Sequence, residues 1–483
     1  PQFNPDGDFQ AFFVQAEQFL VIQAGDNKTL PFIWDGSVLR RSKGITNTAV
    51  APGTPGVNEI PAAGAMDYFM GRIWYAQGRR VSAGDIVNGP SGTAVYDFLD
   101  SVLNVTENPM VIGGDGFTVP SADGNTIRAI KHSANIDAAL GQGRLFVGTR
   151  KAIYALNVPV TRSEWIAATN SNQPLMTVVQ LANGWVNDRS VVAVNGDLFF
   201  QSLEPGIRSL NQSTRYFGQW GNIQISANEN RILQYNDRAL LRYGSGVYFD
   251  NRMLQTALPK MTAQGVVHQA LIPLDFTPIS SFNKQKEPNW EGMYEGLDIF
   301  QMNSGDFGGR ERAFATIRSQ VDGSIQLWEI TSFSKVDNDD ARITWIIEFP
   351  AFTWGDENEL KKLVGAELWV DRLSGTVQFS MEYRPDGQAC WIPWHIWKKC
   401  SGELTPESVQ NPSAYPVRPC LESYFATMTL PKPPASCATA TNRPSDQAYQ
   451  FQPRLVIKGF CRVRALYLHA TKLGRKLYSN ITC

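Results

Sequence analysis

Residues 143–156 read GRLFVGTRKAIYAL. A glycine opens an apolar run, a short polar stretch follows, and a second apolar run closes at Leu156. Each run has the length of a strand rather than a helix, and the polar break between them is a turn. The same pattern recurs on both sides: Gln18–Trp34 (QFLVIQAGDNKTLPFIW), Gly71–Val87 (GRIWYAQGRRVSAGDIV), Gly196–Leu210 (GDLFFQSLEPGIRSL), Arg231–Tyr248 (RILQYNDRALLRYGSGVY) and Arg312–Trp328 (RAFATIRSQVDGSIQLW). In Gly-Arg-Ile-Trp, Gly-Arg-Leu-Phe and Gly-Asp-Leu-Phe, glycine and a polar residue precede an apolar pair. Hairpins repeated at irregular but propeller-compatible spacing predict blades carrying insertions, each burying a face against the next. Unrelated hairpins in one or two sandwiches are the bland alternative.

The chain has 483 residues, with 40 Gly and 28 Pro, which favours turns over long helices. Charged residues make up 18%, against 43% hydrophobic, so a packed core is expected rather than disorder. Lys+Arg is 44 and Asp+Glu 45, a net charge of −1, so no global field draws the chain to nucleic acid or membrane. No apolar run is long enough to span a bilayer. Pro1–Phe13 lacks the basic and small-residue marks of a secretory signal, and the four Asn-x-Ser/Thr triplets are read as chance.

Between the hairpins, Ala94–Val105 has helical spacing, Asn211–Arg231 suggests one helical turn, and Leu274–Pro288 reads as a linker. After residue 340 come strands at Ile343–Phe349, Leu363–Val370 and Thr376–Tyr383, the last two joined by a hairpin turn at Asp371–Gly375. Arg384–Gly387 marks a turn, Trp391–Trp397 an aromatic strand, and Arg454–Ala470 two strands broken at Gly459. The fold class is therefore mainly β. A propeller-like array of β-hairpins occupies 1–335, with helical or loop insertions at about 88–142 and 211–231. A Cys-containing, β-sandwich-like domain occupies 340–483.

No catalytic constellation stands out, and no enzyme activity is expected. There is no Gly-x-Ser-x-Gly elbow, and His132, His268, His395 and His469 sit in ordinary strand or loop contexts. Asp97, Asp100, Glu291 and Glu295 are carboxylates of the kind a glycosidase pairs, but 45 acids make such candidates cheap. The sialidase-type box Ser-x-Asp-x-Gly-x-x-x-Trp fits neither Asp322–Trp328 nor Asp386–Trp391. Both read instead as type I′ turns followed by an anchoring Trp. Asn4, Asp6 and Asp8 imitate a calcium loop but lack its Gly and final acid, and Asp337–Asp340 reads as a solvated turn. No metal or cofactor is called for. All six cysteines, Cys390, Cys400, Cys420, Cys437, Cys461 and Cys483, fall in the last 94 residues without a Cys-x-x-Cys pair; they are candidates for structural disulfides of open pairing. After Asp446 there is no acid, while Arg454, Lys458, Arg462, Arg464, Lys472, Arg475 and Lys476 add seven positive charges. These are candidates to face a partner or DNA; the alternative is a solvated strand edge guarded by basic residues.

The order of motifs runs Phe32–Gly36 (FIWDG), Met70–Trp74 (MGRIW), Ala83–Val87 (AGDIV), Ser101–Asn108 (SVLNVTEN), Leu140–Gly143 (LGQG), Asn157–Arg162 (NVPVTR), Val194–Phe199 (VNGDLF), Gly206–Leu210 (GIRSL) and Phe249–Leu254 (FDNRML). This series resembles virion structural proteins of tailed bacteriophages, and within them the propeller-bearing tail nozzle, or tail tubular protein, of short-tailed phages. The resemblance covers about residues 15–330 and rests on turns and packing residues. It implies a homo-oligomeric, hexameric ring in the virion tail, assembled in the host cytoplasm. Such a ring lies below portal and adaptor, carries fibres or spikes, and gates DNA that passes without sequence-specific binding. A near-neutral channel wall would suit that passage. A tail hub or host-receptor-binding tail protein is the nearest alternative, and a propeller-type glycan-binding or glycan-hydrolysing protein the next.

Overall fold

The computed structural model describes residues 11–45, 58–87, 100–105, 117–119, 125–133, 143–156, 158, 176–181, 183–210, 224–226, 230–276, 289–330, 343–355, 357–400, 425–433 and 444–473. The chain divides into two compact units, Pro1–Thr331 and Ser332–Cys483. The fold is mainly β, a propeller-like array of small antiparallel sheets followed by a sandwich-like C-terminal unit.

In the first unit the sheets follow one another along the chain. The first is β1 (Phe12–Ala16), β2 (Phe19–Gln23), β3 (Phe32–Trp34) and β4 (Leu39–Arg41), paired in sequence order. The second is β5 (Met66–Phe69), β6 (Arg72–Gln77), β7 (Arg80–Ala83) and β8 (Phe117–Thr118). The third is β9 (Ile127–His132), β10 (Leu145–Thr149), β11 (Ala152–Leu156) and β12 (Met176–Leu181). Three strands follow, β13 (Val191–Val194), β14 (Asp197–Gln201) and β15 (Ile207–Ser209). The fifth sheet holds β16 (Gly246–Phe249), β17 (Arg252–Thr262), β18 (Gly265–Asp275), β19 (Asn289–Trp290), β20 (Tyr294–Asp306), β21 (Glu311–Arg318) and β22 (Ile325–Ile330).

Consecutive sheets share cores. Val21 and Ile33 pack with Met66, Ile73 and Tyr75. Trp74 and Val81 pack with Ile130, Val147 and Tyr154. Phe146, Ile153 and Trp185 pack with Leu198 and Phe200, and Val192 and Phe199 with Met253 and Ile272. A sheet covered on both faces needs apolar residues at every position, which is why β10 and β11 are buried throughout. In β2, buried positions alternate with half-buried ones, and in β21 the half-buried positions line one face. Trp185 lies so close to Gly148 that a Cβ there would meet its ring at 2.3 Å, so any larger residue would displace the indole.

The glycine that precedes so many apolar pairs has a backbone cause. Met70–Gly71, Asn195–Gly196 and Asp250–Asn251 join β5–β6, β13–β14 and β16–β17, with both turn residues at positive φ. That is the type I′ geometry whose twist matches a two-residue hairpin. Asp386–Gly387 has the same pair of positive φ values, and the Gln388 N–H donates to the Pro385 carbonyl at 3.0 Å. Asp322–Gly323 differs from expectation. Only Gly323 has positive φ, and the ladder ends at Arg318 and Ile325, so the turn is a longer loop closed by Ser319 and Ser324.

Other expectations fail for stated reasons. Arg231–Tyr248 is not a hairpin: Asn230–Leu233 is a helical turn and Leu241–Tyr243 a 3-10 turn. Asp237 nucleates the second bend, accepting the Ala239 N–H at 2.9 Å on its side chain. The span 88–142 is not only insertion, because β8 and β9 within it complete two sheets; Arg128 and Lys131 mask the strand pattern of β9. Of the expected helix at 94–105, the described part is a 3-10 turn, Asp100–Leu103. The long hairpin β17–β18 went unread because Pro259 and Pro273 lie inside it, and proline argues against a strand. Leu258, at φ 54°, lies between the paired residues Ala257 and Pro259, and the register is the same on both sides of it.

The second unit is one sheet built on two very long strands. Its strands are β23 (Thr344–Glu348), β24 (Lys361–Pro385), β25 (Ile392–Cys400), β26 (Phe425–Leu430), β27 (Gln447–Ala448) and β28 (Phe451–Lys472). The turn expected at Asp371–Gly375 is instead a register break within β24, and Gly459, at φ 118°, lies within β28 without ending it. Both halves of β24 feed one core: Leu363, Leu368 and Val370 from one, Phe379, Met381 and Tyr383 from the other. Both halves of the strand pair therefore close on the same core in a sandwich-like manner.

Candidate functional site

The basic C-terminal strand is largely answered by acids on its neighbours. Arg462 grips Asp371 through a two-bond fork, Nε and Nη2 donating at 2.7 Å each, and Arg464 Nε donates to the same carboxylate at 2.5 Å. Arg462 first, then Arg464, holds the Asp371 carboxyl down at about 2, against the opposing pull of burial. Arg454 donates through Nε to Glu382 at 2.6 Å, lies 3.6 Å from Glu348, and covers the Trp391 ring. Lys472 reaches Glu359 at 2.6 Å. Lys458 is exposed; Arg475 and Lys476 lie outside the described residues. The chain's acid-free end is thus not a field of seven free charges. Antiparallel pairing sets it beside carboxylates far away in sequence. Its half from Arg462 onward pairs only with β24 among the described strands, so it forms a sheet edge.

Cys390 is an exposed free thiol and Cys461 a buried one. Burial, with Asp371 nearby, pushes the Cys461 thiol up to about 12, so it is an unreactive packing residue. Cys400 lies in β25; Cys420, Cys437 and Cys483 lie outside the described residues. So do Asn4, Asp6, Asp8, Asp97 and Asp337–Asp340. Among the described residues no group of three metal-ligating side chains converges. No described helix is long and apolar enough to cross a membrane.

The other candidates hold structure. Glu291 accepts from Arg252 Nε at 2.9 Å, and Glu295 is exposed on β20. Asp322 accepts from the Ser324 N–H and hydroxyl, and its bonds to Ser319 and Ser324 hold its carboxyl near 2. His132 sits 2.8 Å from Asp67, which raises its pKa, and stacks on Phe69. His268 is buried, its Nδ1 3.2 Å from the Ile299 carbonyl, and desolvation lowers its pKa to about 4. His395 stacks on Trp397, and His469 lies 3.5 Å from Glu367.

Two features escaped the sequence reading. The first is a polar hub before β13, in the stretch Asn183–Ser190 (NGWVNDRS). Asn187 is buried; its amide donates to the carbonyls of Arg242 at 2.8 Å and Gly244 at 2.6 Å, and its oxygen accepts the Ser190 N–H. Asp188 pairs with Lys131 at 2.9 Å. Burial opposes the Lys131 charge, but Asp188 and Asp67 outweigh it and raise its pKa. Arg189 donates to the Ala11 carbonyl and to Gln301, both at 2.6 Å, tying the first sheet to the fifth. Lys131, Asp188 and Arg189 border a cavity of about 330 Å³ with Phe12, Phe13 and Met302. Two Asn, an Asp and an Arg crowded between apolar strands were the available signal.

The second feature is an apolar outer strand. β22 pairs only with β21, leaving its other edge without a strand among the described residues. Its solvent-facing residues Ile325 and Leu327 are 63% and 69% exposed, and Val321 in the adjoining loop is 97% exposed. Arg312 spans the same face, paired with Glu329 and lying over Phe314. A lone soluble sheet normally guards such an edge with charge or a bulge.

No family model and no curated protein matches the chain. Solved structures show faint likeness. Trypanosoma rangeli sialidase in complex with sialic acid is 9% identical over 93% of this chain and 90% of that one, with a TM-score of 0.28. BBS1N in complex with ARL6DN is 9% identical over 65% of this chain and 88% of that one, with a TM-score of 0.27. Exo-inulinase from Aspergillus awamori is 11% identical over 96% and 97%, with a TM-score of 0.21. Likenesses this faint carry no argument about activity, and the architecture rests on the sheets themselves.

Proposed function

We propose that the chain is a structural subunit of a bacteriophage tail, a nozzle-like protein that assembles with copies of itself into a ring. That ring continues the DNA channel below portal and adaptor, gates genome ejection, and carries fibres or spikes. The reading rests on the order of motifs from Phe32 to Leu254 and on one surface observation, the exposed apolar edge at β22. An edge bearing Ile325 and Leu327 is a hazard for a monomer, and a neighbouring copy seated there removes it. Contact between this edge and a different patch on the next copy is heterologous, an arrangement that gives a ring where the rotation between copies closes and a filament where it does not.

Native mass spectrometry of the purified chain tests this. The wild type is expected as a closed oligomer, and Leu327→Lys as a monomer with unchanged circular dichroism. A monomeric wild type at tens of micromolar, or a ring that ignores Leu327→Lys and Ile325→Lys together, removes the proposal's support. Co-purification with portal and adaptor proteins then separates a nozzle from a receptor-binding tail protein.

A further inference from the structure

Arg128, Arg150, Arg238 and Arg242 line one cavity of about 300 Å³ in the first unit, together with Val186, Ala239 and Leu241. They come from separate places in the chain. Arg128 is on β9, Arg150 is in the β10–β11 turn, Arg242 is in the 3-10 turn Leu241–Tyr243 before β16, and Arg238 lies just ahead of that turn. Among the described residues no carboxylate lines the cavity. Arg238 is 4.0 Å from Glu204, with both side chains more than half exposed, and Arg242 lies over the Tyr243 ring.

Arg128 is the telling member. Its Nε is shut away from solvent with no hydrogen-bond partner among the described residues. Burial first, then the like charges of Arg150 and Arg242, lowers its pKa. A buried, unpaired guanidinium N–H beside two further guanidiniums costs stability unless something with negative charge and several acceptors fills the space. A carboxylate satisfies one guanidinium fork; several forks arriving from different elements suit the tetrahedral array of oxygens on phosphate.

We propose that this cavity binds a phosphate group, held by Arg128, Arg150 and Arg242. The phosphate arrives either as a free polyphosphate or as part of a nucleic-acid backbone. The site lies within the first unit and does not depend on ring formation.

The test is thermal unfolding of the full chain at constant ionic strength, titrated with inorganic pyrophosphate and, separately, with a short single-stranded oligonucleotide. A saturable rise in Tm is expected for at least one probe, with affinity at least tenfold weaker in Arg128→Gln and in Arg150→Gln. Without ligand, Arg128→Gln is expected to melt no earlier than wild type, since it relieves repulsion. Should it fail to fold, Arg150→Gln carries the reading. Pyrophosphate alone acting marks a free ligand, and the oligonucleotide acting marks a backbone; either supports the site. No saturable rise with either probe, or an undiminished rise in the variants, overturns it.

Discussion

The two units solve the same problem, burying strands, by opposite routes. In the first, each strand pairs mostly with its neighbour in sequence, and short sheets stack one upon the next. In the second, β28 pairs with β24 and β23, so that Lys361 meets Lys472 and Thr344 meets Lys458. The first distributes its apolar contacts over several cores; the second gathers them into one. Local pairing lets damage stay local, whereas a single long-range core has to stand or fall together.

The sharpest way to break this comparison is Phe379→Ala. Phe379 is fully buried and stacked on Trp397 in the second unit's one core. Removing it is expected to destabilise that unit by about 3–5 kcal/mol. Calorimetry should show one transition falling while the other holds. A uniform shift of both would mean the units unfold as one.

A second prediction separates the units by pH. His268 in the first unit has its pKa lowered from 6.5 to about 4 by burial. Between those values the unfolded chain takes up a proton that the folded one refuses. Its contribution is therefore full above pH 6.5 and lost as pH falls toward 4, by about 3 kcal/mol. His268→Phe should flatten that slope in the first unit's transition. Asp371 gives the second unit a lower window. Its carboxyl is depressed from 3.8 to about 2, so its contribution is complete above pH 4 and lost as pH falls toward 2. Asp371→Asn is expected to remove that acid step, a smaller effect than the other two and visible only in the second unit.

The same contrast explains what was legible in the sequence. Five of the six quoted hairpins form because each pairing is local, and Gly71 and Gly196 mark the turns that lead into two of them. The failure at Arg231–Tyr248 came where Asp237 diverted the backbone into a bend. In the second unit the strands were found but not their continuity. Gly375 and Gly459 look like punctuation in one dimension, and only long-range pairing carries a strand through them. The charge reading failed for the same reason. Arg462 and Arg464 stand in an acid-free tail, yet Asp371, their partner, lies some ninety residues earlier. The arginine-lined cavity and the hub at Asn187 gather residues scattered from Ala11 to Gln301, and no spacing along the chain announces either.

The unbroken length of β28 also has a mechanical meaning. A hairpin pulled at its ends opens one hydrogen bond at a time. A strand held along both halves by β24, and over its first half also by β23, resists a pull along its axis with many bonds at once. Lys361 lies opposite Lys472, so tension between residue 473 and the start of β24 would peel this seam one bond at a time, whereas a pull between residue 473 and the far end of β24, at Pro385, would load it in shear. The same pair of strands thus holds or yields according to where along β24 the load leaves.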